Sequence, residues 1–334
     1  MNNQLLQLKG FYHKQREVLG FYKNLNESLL SNQFLIFQKS ITTQDTTMKK
    51  ILFILLIFLS FTSNAQTPGC VSTNLQRWYK PEAGVTVVSG AVSSWQDQAS
   101  LVSVTQGTAA NRPLFNSSSS LINFHPTLEF DGTNDRLTNA SGGVAFGTGA
   151  YTFYYVAINR GPSPSNWVFG TGASSALNGF NSGSNATSTT LTSGGTTFAT
   201  KTNAWADGVP VLVRTGFNGG ATQPYYVSNN GTTEVISSNV SPNISSTNFS
   251  IGARPDGTAN SWDGYITEVI AYTGKHTAAD YNKVESYLSI KYGIPKIGSY
   301  VNSVGTAVWS SGGGYDNNIA GLARDDMGGA ANTG

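Results

Sequence analysis

The chain has 334 residues, of which 11% are charged and 11% aromatic, with 37 Gly and a single Cys. The charged fraction is less than half the roughly 25% usual in soluble domains, yet the aromatic content is too high for a disordered chain. A formal charge of +2 excludes nucleic-acid binding by bulk electrostatics, and one Cys with three His excludes both an internal disulfide and a zinc cluster. The positive sign is local. Residues 1–65 carry seven Lys/Arg against three Asp/Glu, whereas residues 66–334 carry 13 against 15.

Residues 1–47 show scattered Leu, Phe and Gln and no domain pattern, and they read as an over-extended leader. Met48-Lys49-Lys50 then precedes an apolar run, Ile51 to Phe61, and Ser63-Asn64-Ala65 places small residues before a cut at Gln66. A basic start, an apolar core of about 7–15 residues and a small-residue cleavage site define a secretory signal peptide, here 48–65. The run is shorter than the roughly 20 residues of a membrane-spanning helix. Secretion is therefore expected, with the protein free or held at the outer cell surface. Cys70 lies too far from the apolar run, and has the wrong residues before it, to be a lipid-anchored Cys.

From Gln66 to Pro295 short apolar or alternating stretches recur between Gly, Asn and Ser turns. They are Val85–Val88, Leu128–Phe130, Tyr151–Ile158, Trp167–Phe169, Pro210–Phe217, Tyr225–Val227, Glu234–Ile236, Phe249–Gly252 and Tyr265–Tyr272. Many short strands of this kind predict an all-β fold. Tyr151–Ile158 is almost wholly apolar or aromatic, as a strand covered on both faces would be. Residues 171–197 are rich in Ser, Gly, Asn and Thr and read as a surface connection or a weak hairpin. One amphipathic helix is expected near the end. Thr277 and Asp280 match a capping box, Tyr281, Val284, Leu288 and Tyr292 make the apolar stripe, and Gly293 with Pro295 stops it. Beyond it, Tyr300-Val301 and Ala307-Val308-Trp309 read as strands that open an incomplete second β module over 296–334.

Four blocks carry a family likeness. Trp78-Tyr79-Lys80-Pro81-Glu82-Ala83-Gly84-Val85 with Val92–Gln98 resembles the first strands of LamG-like jelly rolls of the concanavalin A-like superfamily. Arg112-Pro113 and Pro126–Asp135 are similar to that family's central strand and turn. Trp262–Tyr272 followed by the helix is similar to its end. The likeness covers about residues 70–295 and implies a jelly-roll β-sandwich with one C-terminal helix. Tyr315–Asp326 resembles the start of a module that follows such domains in large surface proteins of Gram-negative bacteria, which implies a longer multidomain chain.

The superfamily holds lectins, adhesive domains and some glycosidases, so fold leaves function open. Its glucan-cleaving members resemble one another in a strand with Glu-x-Asp-x-(x)-Glu. Here Glu129-Phe130-Asp131 is followed by Gly132, Thr133 and Asn134, so the second Glu is missing. A retaining glycosidase needs two carboxylates about 5–5.5 Å apart, and a glycoside hydrolase is the disfavoured reading. Neither a GxSxG motif nor a P-loop occurs, and His125 and His276 have no recognisable nucleophile motif beside them. No catalytic residue is assigned.

Asp131, Asn134 and Asp135 are the candidate metal ligands, because oxygen side chains in a Gly-containing turn suit Ca²⁺. The blander reading is a turn whose Asx side chains cap their own backbone. Asp256 and Asp263 are possible further ligands from neighbouring loops. No cofactor is required. Trp167, Trp205 and Trp262 are the candidates for stacking on a sugar ring, with core packing as the usual alternative for Trp. The expected function is a non-catalytic binding or adhesion module whose partner is an extracellular glycan or a surface protein. An architectural spacer without a ligand is the alternative.

Overall fold

The computed structural model describes residues 67–141, 144, 146–160, 166–171, 178–182, 189–193, 196–201, 206–219, 225–236, 248–255 and 260–310. The chain divides into Met1–Ala65 and Gln66–Gly334, and every described residue belongs to the second unit. The leader, the signal-peptide segment and Tyr315–Asp326 lie outside the described residues.

The described chain is mostly strand. In order these are β1 (Leu75–Tyr79), β2 (Val85–Val88), β3 (Ala91–Gln96), β4 (Ser103–Thr105), β5 (Leu114–Ser119), β6 (His125–Asp131) and β7 (Leu137–Asn139). There follow β8 (Tyr151–Asn159), β9 (Asn166–Thr171), β10 (Asn178–Ser182), β11 (Thr189–Ser193), β12 (Thr196–Lys201) and β13 (Pro210–Phe217). The last are β14 (Tyr225–Asn229), β15 (Val235–Ile236), β16 (Phe249–Ile251), β17 (Asp263–Thr273), helix α1 (Ala278–Tyr292), β18 (Tyr300–Val301) and β19 (Ala307–Trp309). The segment read as a connection or weak hairpin therefore contains two strands paired with each other, β10 and β11, each with a single apolar residue, Phe180 and Leu191, which are register partners.

All pairings are antiparallel. β8 lies between β13 and β17, and β14 and β15 continue beyond β13. The far edge of β17 is shared, its first residues pairing with β6 and its last with β1. β5 follows β6 and touches β3 through one bridge, Leu114 with Ala91. From there the order runs β2, β3, β4, β7, β16, β9, β10, β11, β12. The sheet thus curls back over itself.

What it encloses is aromatic. Tyr151, Phe153, Tyr155 and Ala157 of β8 point into a core with Tyr79, Trp95, Phe130, Phe169 and Phe249. Tyr79 stacks on Phe249 at 5.9 Å between ring centroids, which joins the two turns of the sheet. The alternate residues Tyr154, Val156 and Ile158 face a second cluster with Val284, Leu288 and Tyr292 of α1. Both faces of β8 are covered, as its unbroken apolar sequence requires.

α1 begins at the expected cap. Asp280 N donates to Thr277 Oγ1 at 3.2 Å, Thr277 N donates to Asp280 Oδ2 at 3.4 Å, and Gly293 ends the helix at φ +65°. Its buried face is less apolar than the stripe suggests, since Glu285, Ser286 and Ser289 are buried beside Val284, Leu288 and Tyr292.

Candidate functional site

The acidic residues singled out from the sequence meet at one end of the sheet, where β6 leaves it and β17 enters. Asp131 and Asp263 are register partners there. Gly132 N donates to Trp262 O at 2.9 Å, and a Cβ on Gly132 would stand 2.8 Å from Asp263 Cβ. At φ +75° the position favours glycine for conformation as well as for space. Arg160, just past the end of β8, completes the cluster. Its Nε donates to Asp263 Oδ1 at 2.9 Å, its Nη2 to Phe130 O at 3.0 Å, and its Nη1 to the Glu129 carboxylate. The other Glu129 oxygen accepts from Asn116 Nδ2 at 3.1 Å. Both oxygens of Glu129 are therefore engaged.

The turn Asp131–Asp135 is locked by its own side chains. Asp131 Oδ1 accepts from the backbone N of Thr133, Asn134 and Asp135 at 2.8, 3.1 and 3.4 Å, and Asp131 N donates to Asp135 Oδ2 at 3.1 Å. This is the self-capping Asx arrangement. Asp135 is 5% exposed, and burial, then the negative charges of Asp131 and Glu129, push its carboxyl up to about 6. Asp131 by contrast is exposed. As a calcium site the turn fits poorly, because one Asp131 oxygen and one Asp135 oxygen already serve backbone N–H groups. Among the described residues no group of three or more His, Cys, Asp or Glu is arranged to hold a metal ion. Asp256 lies outside the described residues.

The tryptophan candidates fall elsewhere. Trp262 is wholly buried in the aromatic core, with its backbone N donating to Gly252 O at 2.7 Å. Trp167 is 6% exposed, its ring lying over Gly170, where a Cβ would come within 2.8 Å of it. Trp262 fills space between the turns of the sheet, and Trp167 is buried over Gly170, so neither presents an open face to a sugar. Trp205 lies outside the described residues.

A family model described as a domain of unknown function (DUF8202) matches residues 280–332. No curated protein sequence matches the chain significantly. Among solved structures, a GH54 α-L-arabinofuranosidase is similar at 16% identity and a TM-score of 0.44, over 64% of this chain and 53% of that one. The chain thus spans about half the length of that enzyme. Domain 4 of a GH43 extracellular arabinanase from Geobacillus stearothermophilus, in complex with arabinotriose, is similar at 13% identity and 0.45, over 66% of this chain and 98% of that domain. A Trypanosoma rangeli sialidase is similar at 16% identity and 0.45, over 65% of this chain and 33% of that one.

Two further charged clusters lie beneath α1, and sequence reasoning did not find them. Glu268 of β17 is fully buried. It accepts from Trp78 Nε1 at 2.5 Å, Tyr292 OH at 2.5 Å, Lys291 Nζ at 2.8 Å and Tyr287 OH at 3.2 Å. Lys291 also reaches Glu82 at 3.2 Å, and His125 Nδ1 lies 2.9 Å from the same carboxylate. Burial tends to raise the Glu82 pKa, but the hydrogen bond from His125 and the charge of Lys291 outweigh it and hold the group at about 2. Arg214, also buried, donates through Nε to Glu285 Oε1 at 2.7 Å and through Nη1 to Glu234, with the Tyr281 ring 3.9 Å from its guanidinium. Their one sequence signal is a charged residue inside an apolar run: Glu268 between Ile266 and Val269, and Arg214 between Val213 and Phe217. The bonds these clusters make tie α1 to the sheet.

Proposed function

We propose that residues 66–295 form a secreted, non-catalytic binding module of jelly-roll type, which holds an extracellular glycan at the cell surface as part of a longer chain. The observation that carries the non-catalytic reading is the engagement of both Glu129 oxygens by Arg160 and Asn116. With each oxygen already accepting from Arg160 or Asn116, the carboxylate is held as part of the ion-pair cluster, which supports a structural role over a nucleophilic one. Binding is supported at the same end of the sheet. Asp131 is exposed, and Asn134 beside it is half-buried with one amide oxygen and one amide nitrogen to offer. Such oxygens accept from sugar hydroxyls, and four carboxylates around one guanidinium favour a neutral glycan over an acidic one. Secretion rests on the signal peptide Met48–Ala65, and N-terminal sequencing of the exported protein should begin at Gln66.

The test is a glycan array probed with the exported protein, with calcium or with a chelator. Neutral oligosaccharides should be retained in both conditions, and Asp131→Ala with Asn134→Ala should weaken retention. Absence of binding in every condition would establish the spacer reading instead. Hydrolysis of an oligosaccharide that is lost in Glu129→Gln would show an enzyme.

A further inference from the structure

The boundary expected at residues 295 and 296 separates a domain from a module that follows it, yet the chain on either side of that boundary is closely packed. Ile294, Lys296, Tyr300 and Ser303 are all buried. Ile297 N donates to Asn230 O at 2.8 Å, which joins the segment to the turn after β14. Gly231 in that turn has φ +71°, and a Cβ there would stand 2.5 Å from Ile297 O. Val301 N donates to Ser286 Oγ at 2.9 Å, on the buried face of α1. Tyr300 OH accepts from Lys296 N at 2.9 Å, and its ring meets Trp309 edge-on at 5.3 Å. A linker would leave these backbone groups to water.

The family match adds an independent observation. It starts at Asp280, in the first turn of α1, and runs to residue 332. One family unit therefore contains both the helix that covers Tyr154, Val156 and Ile158 of β8 and the β18–β19 hairpin packed on the other side of that helix. A two-stranded hairpin of this length does not persist alone in water.

We propose that α1 is shared by two domains, and that its side facing β18, together with the Asn230–Gly231 turn, is the docking surface for the domain that follows, of which Ile294–Trp309 is the first part. The two domains are then joined rigidly, with no flexible linker, and α1 cannot unfold in one without releasing the other.

Native-state hydrogen exchange on the full chain tests this, followed peptide by peptide across a urea series. Peptides from α1 and from residues 294–309 should lose protection with the same denaturant dependence. Gly231→Ala, which forces a Cβ against Ile297 O, should speed exchange in both by about tenfold or more while β6 and β16 keep their protection. Tyr300→Phe removes only the hydroxyl acceptor, and it should move the same two regions by less. If residues 294–309 exchange as free chain in the unmodified protein, or if either variant frees them while α1 stays protected, the shared helix is wrong.

Discussion

Asp135 is held in the turn by its bond from Asp131 N, and its pKa of about 6 makes it a group whose ionisation differs between folded and unfolded chain near neutral pH. Its folded value lies above the ordinary 3.8, so the folded state holds the proton more tightly. The stabilisation is complete below about pH 4, falls as pH rises towards 6, and is gone above it. Over that window ionisation of Asp135 should progressively lower the stability of the folded protein. Asp135→Asn stays neutral throughout. Urea unfolding of both proteins should give similar stabilities at pH 4 and a more stable variant at pH 7.5. A constant difference between the two pH values would show that the carboxyl does not titrate there. The turn around this residue was legible, since an Asp-Gly-Thr-Asn-Asp run supplies both the glycine and the capping oxygens. Arg160 was not legible, because its partners Glu129 and Asp263 lie 31 and 103 residues away and only the register of β6, β8 and β17 brings them together.

At the scale of one element, α1 separates what a helix contributes locally from what its contacts contribute. The capping box was readable from four consecutive residues, and so were the stop at Gly293 and the positions of Val284, Leu288 and Tyr292. The polar half of its buried face was not, for nothing near Glu285 or Lys291 in sequence announces Arg214 or Glu268. These two sources of stability should differ in size. Thr277→Ala removes a cap on an exposed turn and should cost about 1 kcal/mol. Glu268→Ala leaves the buried Trp78 and Tyr292 donors without their acceptor and strips Lys291 and Tyr287 of theirs on β17, and should cost about 3–5 kcal/mol. Urea midpoints with unchanged slopes measure both. Equal losses would mean that the buried cluster is solvated in a way its geometry does not suggest. The tryptophans make the same point from the other side. Trp262 stands at the edge of a turn in sequence, and that position looks exposed until β17 and β6 pair and draw its ring inside.

Across the whole molecule, closure depends on strands far apart in the chain. β17 pairs with β8 on one side and with both β6 and β1 on the other, and the last of these joins Leu75 to Tyr272. The aromatic core between the turns of the sheet cannot be covered until β17 is in place, and α1 has no sheet face to rest on before that. Strand pairing over such separations makes loop closure the main barrier, so folding should be slow, on the order of milliseconds to seconds or longer. The chain should also gain no stable structure until nearly all of its strands are present. A chain ending at Trp262 keeps β1 to β16 and most of the aromatic residues, yet it lacks the strand that three others pair with. It should show no cooperative urea transition and no near-ultraviolet circular dichroism, whereas the full chain shows both. A cooperative transition in the shortened chain would place the core's stability in the strands before β17 and would make the closing strand an addition to a fold already formed.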